Sequence, residues 1–483
     1  MISLPVEIWI LIAHHLSNND LRVAFCVNQA LFHAYMDRCW GKVILETQDM
    51  AEAMHLLERL SDPFVAYKVN DLVLRFNNHK LAKPFRQLQQ HLGSALRGRI
   101  KTTVDFIKHA LRRSREPDLP DVVEKLIICV PGFVNVHILD IESCQGCIPQ
   151  TYDLTPLFKA FWAAFGGNLM FLNIISGSVE TYRSILLSTP VLTSSLQGLT
   201  IDFSSHNFSE DRAIEKDVIC SLVAPFVKSL SAYLVSLCIT CHPGVPWDMS
   251  PVFIECNSFP CLQNLFISME VEEGNRNLIG LEKIVSNSKA LRRLQTYLFP
   301  SLLNLDDGQL SRWHLKCLQE KESLGQLQEL EIFSEALGWG ALSTILAYIK
   351  RTSATLCRLT IRGRYLVQEE ITAVIKAASD CPALRYFSFN ICVCCFKIQV
   401  IDDMAVFLPN LEGLSITLSP SRSECEHATL WSEFTTGLET RTYNTWKLKA
   451  ISICHDNWLW VNAAQSQFLL KRETYNDEFA VVY

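Results

Sequence analysis

"LQELEIFSEALGWGALSTILAYIKRTSATLCRLTIRGRYL", residues 327–366, carries the same six-residue phrase near its start and near its end. LQELEI (327–332) and LCRLTI (356–361) each place apolar side chains at the first, fourth and sixth positions. The alternation that closes each phrase is that of a half-buried strand. Between them Leu342, Ile345, Leu346 and Ile349 recur at helical spacing. The segment therefore predicts strand, helix, strand.

The phrase recurs along the chain. Copies begin at 169 (LMFLNI), 196 (LQGLTI), 234 (LVSLCI), 262 (LQNLFI), 291 (LRRLQT), 384 (LRYFSF), 411 (LEGLSI) and 448 (LKAISI), with weaker ones at 69 (VNDLVL) and 123 (VEKLII). Most spacings from 169 onward fall at 27–29 residues, which fits one strand and one helix per unit. The longer ones point to inserted loops such as HPGVPWDMSP (242–251). FPCL, CPAL and LPNL set a proline two residues before the first leucine. A second helix is predicted in 369–381 from Ile371, Val374, Ile375 and Ala378. An apolar strand that its own unit cannot bury must stack on its neighbours. The pattern resembles leucine-rich repeats. That resemblance implies an α/β fold, a curved solenoid with a parallel sheet on its concave side and helices outside. The family's asparagine or cysteine, eight residues past the first leucine, is matched by Cys392 but not by His242, Glu270, Glu335 or Arg364. A mixed α/β globule with a shared strand pattern is the alternative, and ten copies weigh against it.

The front of the chain reads differently. In LPVEIWILIAHHLSNNDL (4–21), Pro5 marks a helix start. Ile8, Leu11, Ile12 and Leu16 form one apolar stripe; Val6, Trp9, Ile10 and Ala13 form another. One stripe suffices for packing on the chain's own body, so two imply burial on two sides. DLRVAFCV (20–27) and ALFHAYMDRCW (30–40) read as further short helices. About forty residues make a core too small to stand alone, so the following domain, a partner, or both must help. The spacing Leu4-Pro5-x-Glu7-Ile8, Ile12, Leu16, Asp20-Leu21, with Val27 and a closing Trp40, resembles the F-box. Asn28 and Cys39 depart from its rear half.

Box and repeats together resemble F-box proteins with leucine-rich repeats, common in fungi. The resemblance implies a substrate-receptor subunit of an SCF-type ubiquitin ligase. A Skp-type adaptor would be bound by Leu4, Pro5, Ile8, Leu11, Leu16, Leu21 and Val27, and through it cullin and RING subunits. The alternatives are an ordinary amphipathic helix pair, or a protein-interaction scaffold whose vestigial box only caps the first repeat. The expected domains are 1–45 (box), 46–65 (connecting helix or linker), 66–470 (solenoid) and 471–483 (cap or tail).

Net charge is −6 with a pI near 6.1, so nothing global favours nucleic acid. The basic stretch 96–115 reads as a solvated helix face and loop. Glu7 interrupts the first apolar run, which does not read as a signal peptide. The uncharged run 160–179 is broken by Gly166 and Gly167 and reads as helix end, loop and buried strand, not as a membrane span. The scattered cysteines, 18 in all, fit reduced, buried thiols in cytoplasm or nucleus. Phosphate-loop, nucleophile-elbow, dinucleotide and HExxH motifs do not occur. CQGC (144–147), CITCH (238–242) and CVCC (392–395) have metal-ligand spacing, but strand and turn positions favour structural thiols over a metal site. No catalytic residue and no cofactor is expected, and an enzyme built on the solenoid is the least favoured reading. A target is expected on the outward strand positions. These are Glu329, Glu331 and Phe333, then Arg358, Thr360 and Arg362, then Tyr386, Ser388 and Asn390. The same rows also suit a solvated face with cross-strand Glu–Arg pairing.

Overall fold

The structure, a computed structural model, describes residues 4–76, 118–143, 153–176, 179–189, 195–203, 216–241, 247–256, 258–271, 276–300, 308–319, 324–419 and 432–455, the last without 435 and 438. The basic stretch 96–115, CQGC and the segment 471–483 lie outside the described residues, as do 242–246 of the expected inserted loop.

The chain forms two compact units, Met1–Phe259 and Pro260–Tyr483. The first opens with three helices, α1 (Val6–His15), α2 (Asn18–Ala24) and α3 (Gln29–Trp40). Six strands follow: β1 (Lys42–Glu46), β2 (Asp71–Phe76), β3 (Ile138–Ser143), β4 (Phe171–Ser176), β5 (Gly198–Phe203) and β6 (Ser236–Cys241). Each pairs in parallel with the next in chain order. The second unit holds seven more: β7 (Asn264–Val271), β8 (Arg293–Pro300), β9 (Glu329–Phe333), β10 (Arg358–Leu366), β11 (Tyr386–Ile391), β12 (Gly413–Leu418) and β13 (Ala450–His455). They too are parallel and sequential.

Sequential parallel strands with crossovers of one hand carry every helix to the same face. The contacts agree. In the second unit Gln309–Gln319, Ala341–Thr352, Gln368–Ala378 and Ile398–Phe407 each touch the next, and in the first Leu119–Cys129, Thr155–Phe165 and Val179–Ser188 do the same. Strand residues alternate accordingly. Leu414, Ile416 and Leu418 of β12 are buried under the helices, while Ser415 and Thr417 are half-buried on the outward face.

A backbone ladder ties the N-terminal ends of the strands. In the second unit Arg292, Gln328, Cys357, Arg385, Glu412 and Lys449 each donate N–H to the carbonyl of the equivalent residue one repeat back, at 2.7–2.8 Å. Asn70, His137, Met170, Gln197 and Val235 do this in the first unit, back to Gly41, at 2.8–2.9 Å. Each new repeat thus satisfies polar groups that its predecessor leaves open.

Every copy from 169 onward, and that at 69, leads into a strand. The copy at 123 does not. VEKLII lies inside the helix Leu119–Cys129, which a capping box of Asp118 and Asp121 starts. Leu119, Val122, Val123 and Leu126 form its buried stripe, and Ile128, which completes the strand phrase, is exposed. The true strand there is β3, whose phrase starts at Val136 and continues through Leu139 and Ile141. The strand β1 follows the same rule from Trp40 through Val43 and Leu45. The helix Gln368–Ala378 buries the four residues expected of it. The helix Ala341–Thr352 is rotated: Ile345 and Ile349 are buried as expected, but Ala341, Thr344 and Tyr348 accompany them and Leu342 and Leu346 sit at the margin.

Tyr348 explains that rotation. Its hydroxyl lies 2.9 Å from Nδ1 of His314 on the preceding helix, and both side chains are fully enclosed. Burial pushes the His314 pKa down to about 3, so the folded protein keeps a neutral ring. The unfolded chain takes up a proton near pH 6.5. Stability therefore falls as pH drops below that value, by up to about 1.4 kcal/mol per pH unit for this one group. His314→Gln is expected to remove this contribution. The stability gap between wild type and variant, measured by urea denaturation, then narrows between about pH 7 and about pH 5; a constant gap contradicts a buried neutral imidazole.

Candidate protein-binding surfaces

The helical box closes on a small interior of Ala13, Leu21 and Leu31, with Trp9, Leu16, Ala24, Ala34 and Tyr35 packed around it. Local signals set each helix. Ser17 caps α2 by accepting from Asp20 N–H, and Asn28 caps α3 by accepting from Leu31 N–H at 2.9 Å. Arg38 of α3 reaches back to the end of α1, donating to the carbonyls of Leu16 at 2.7 Å and Ala13 at 2.8 Å. A guanidinium suits the carbonyls at a helix C-terminus both as donor and as positive charge.

The box rests on the first repeat through α3. Phe32 stacks on Phe64 at 5.8 Å, and Asp37 pairs with Lys68 at 2.8 Å. This leaves α1 and the end of α2 with their apolar residues facing away. Leu11 is 57% exposed, Val27 66% and Val23 78%. Leu4, Pro5, Val6, Ile8 and Ile10 are exposed as well.

Of the seven residues expected to touch an adaptor, Leu4, Pro5, Ile8, Leu11 and Val27 lie on this bare surface. Leu16 is half-buried against the box interior, and Leu21 is wholly enclosed in it. Those two hold the box together from within. Val6, Ile10 and Val23 join the surface. The first two belong to the second stripe on α1, which the sequence shows, and Val23 stands on α2 shortly before the bend that holds Val27. Burial in α1 follows neither stripe alone, because Ala13 and Trp9 face the interior from one and Leu16 from the other.

The outward face of the second unit is polar and heavily paired. Glu329 lies between Arg293 at 2.6 Å and Arg358 at 3.7 Å. Glu331 accepts from Arg362 at 2.5 Å, from Gln295 at 2.6 Å and from the Tyr297 hydroxyl. Burial, and then the Glu331 carboxylate, push the Tyr297 pKa well up. Tyr297 and Phe333 stack at 6.0 Å, so Phe333 joins the same cluster. The Arg358 guanidinium sits 4.5 Å above the Tyr386 ring. The ring can lie flat there because Gly413 is its neighbour on β12: a Cβ at 413 would come within 2.6 Å of it. Asn390 is half-buried at the far end of β11, with Ser388 between it and Tyr386, while Thr360 is buried. Cross-strand pairing therefore occupies the central acid–base row, each exposed pair being worth about 0.2–1 kcal/mol.

The first unit's outward face has the opposite balance. Glu46, Asp71, Asp140, Glu142 and Asp202 stand at its outward strand positions against Lys42 and Arg75. Arg75 bridges Glu46 at 2.7 Å and Glu142 at 2.8 Å. Burial, opposed by Lys42 and aided by Asp140, raises the Asp71 pKa.

The two cysteines of CITC face opposite sides of β6. Cys241 is enclosed, with burial raising its thiol pKa, and Cys238 is half-buried. CVCC departs from the expectation of buried thiols, since Cys394 is exposed and Cys392 and Cys395 are half-buried in the turn after β11. Among the described residues no group of three or more His, Cys, Asp or Glu side chains could hold a metal ion, and no helix is long and apolar enough to cross a membrane.

No family model matches the chain. It is similar to human PRAME family proteins. PRAME family member 2 is 27% identical over 177 residues, covering 35% of this chain and 36% of that protein. PRAME family member 13 is 24% identical over 303 residues, covering 61% and 59%. PRAME family member 1 is 27% identical over 138 residues, 28% of each. The matched stretches thus span 28% to 59% of these relatives' own length. Among solved structures, a chain of the crystal structure of the Rad7 and Elc1 complex in yeast aligns with a TM-score of 0.33 and 15% identity, over 62% of this chain and 69% of that one.

The box geometry separates surface from support. Leu11→Glu is expected to change stability by no more than about 0.5 kcal/mol. Leu21→Ala is expected to cost about 2–5 kcal/mol and to speed amide exchange across α1–α3. Equal losses from the two substitutions, read by urea denaturation and hydrogen exchange, contradict this division.

Proposed function

We propose that this chain is the substrate-receptor subunit of a cullin-type ubiquitin ligase of the SCF kind. One observation carries the reading: a helical box, anchored by α3 on the first repeat, turns Leu4, Val6, Ile8, Ile10 and Leu11 at and along α1, with Val23 and Val27, to solvent. Single exposed apolar residues are ordinary, but a cluster of this size marks a protein-binding surface. Leu4, Pro5, Ile8, Leu11 and Val27 are the proposed contacts to a Skp-type adaptor, with Leu16 and Leu21 shaping the box beneath them. Docking in an apolar groove desolvates such a centre, and a few large side chains there each contribute roughly 2 kcal/mol or more.

The repeats supply the second half. Their outward face, including Glu329, Glu331, Arg358, Arg362, Tyr386 and Asn390, is the proposed seat of a target protein. Cullin and RING subunits reached through the adaptor would bring a ubiquitin-loaded partner alongside. Catalysis then rests on proximity, and this chain needs no catalytic group or cofactor of its own. The cytoplasm or nucleus is the proposed setting. A scaffold with a vestigial box would need α1 covered by the chain's own repeats, and the bare α1 weighs against it.

The test is capture of a Skp-type adaptor by the purified chain. Wild type is expected to retain it, and Ile8→Asp with Leu11→Asp to lose it by 100-fold or more, about 2.7 kcal/mol, with unchanged melting. Wild-type chain that never retains the adaptor overturns the proposal.

A further inference from the structure

We infer that the N-terminal rim of β8–β13 binds an acidic, extended segment of a protein partner. This rests on the target-binding half of the receptor reading and names the chemistry that such a target presents.

The rim consists of the last residue before each strand and the first outward residue within it. Among those described positions stand Arg292, Arg293, Arg358, Arg385 and Lys449, against Glu329 and Glu412. Each carboxylate is shared by two cations. Glu329 lies between Arg293 and Arg358, and Glu412 between Arg385 at 3.6 Å and Lys449 at 2.9 Å. The rim keeps an excess of positive charge after every carboxylate is used. The turns leading into the strands add Lys289 and Lys447 against Asp380. The outward face of the first unit has the reverse excess, so the positive rim is a local feature of a chain that is acidic as a whole.

Spacing favours an extended peptide lying across the strands. Neighbouring strands are about 4.8 Å apart, which puts Arg293 on β8 and Arg358 on β10 about 10 Å apart. An extended chain covers that distance in about three residues. Arg385, ahead of β11, and Lys449, ahead of β13, continue the row. The step from Arg358 to Arg385, on neighbouring strands, is about 5 Å, so acidic side chains about one to three residues apart can each meet a cation. Arg358 is held in place for this by its stack on Tyr386, which spares part of the ordering cost. A nucleic acid fits less well. Tyr386, the one aromatic among these rim positions, is already stacked under Arg358 and offers no open ring to a base.

The experiment uses the full chain and three fluorescein-labelled probes: deca-glutamate, deca-lysine and a deca-uridylate RNA. Anisotropy is expected to show binding of deca-glutamate that weakens as salt rises, while deca-lysine, which suits the acidic face of the first unit, binds the same to wild type and rim variants. Arg358→Glu with Arg385→Glu is expected to weaken deca-glutamate binding at least tenfold, as is the milder pair Arg385→Ala with Lys449→Ala. Lys316→Glu, on the helix side and paired with Glu282, is expected to change nothing. Equal binding of deca-glutamate by wild type and both rim variants overturns the inference, as does tighter binding of the RNA. Adaptor capture is measured on the same variants. Retained capture with no peptide binding refutes the rim alone; lost capture by wild type with intact peptide binding refutes the ligase reading and leaves the rim standing.

Discussion

A strand–helix repeat cannot finish itself. Its strand leaves one row of backbone groups open and one apolar face to be covered by neighbours, and the next repeat supplies both. The 2.7–2.9 Å ladder from Gly41 to Val235, and that from Gln263 to Lys449, record this dependence residue by residue. Everything else is arranged around it. Inward positions stay apolar because a helix covers them. Outward positions are free to vary, and here they vary in charge, acidic in the first unit and basic along the rim of the second.

The first repeat has no predecessor, and the box takes that place. The helix α3 touches both β1 and the short helix Pro63–Ala66, and its Phe32 and Asp37 engage Phe64 and Lys68. Once α3 is committed to the repeat, the small interior around Leu21 has only one side on which to receive α1. Trp9, Ala13 and Leu16 fill that side. The remaining apolar residues of α1 have no place inside, and Arg38 fixes them in their outward pose by holding the carboxyl end of the helix. The bare surface follows from capping a stack with a helix trio that carries more apolar residues than its interior admits.

Much of this architecture is legible in the sequence because the strand phrase is spaced by geometry. Leu359 and Ile361 must alternate with Arg358 and Thr360 whichever helix precedes them. The phrase misleads at VEKLII, where positions one, four and six of a strand also satisfy most of a helical stripe, and the start signals Asp118, Pro120 and Asp121 reveal the helix. It was present but obscured at Trp40, which also closes the box pattern, and at Val136, beside that false copy. The two stripes on α1 foretell exposure without saying which residues face out, since the interior takes Trp9 and Ala13 from one and Leu16 from the other. Leu21 matches the box pattern yet serves the core. The rim was hidden because its cations lie on separate repeats far apart in sequence; the parallel register sets Arg293 level with Arg358 and places Arg385 one residue earlier on the next strand.

The central claim is that a second polypeptide covers α1 and the end of α2. Hydrogen–deuterium exchange of the chain alone and with a Skp-type adaptor reads this directly. New protection confined to residues 4–27, with the strands of the second unit unchanged, is the expected result. An exchange profile that the adaptor leaves unaltered across those residues would contradict it.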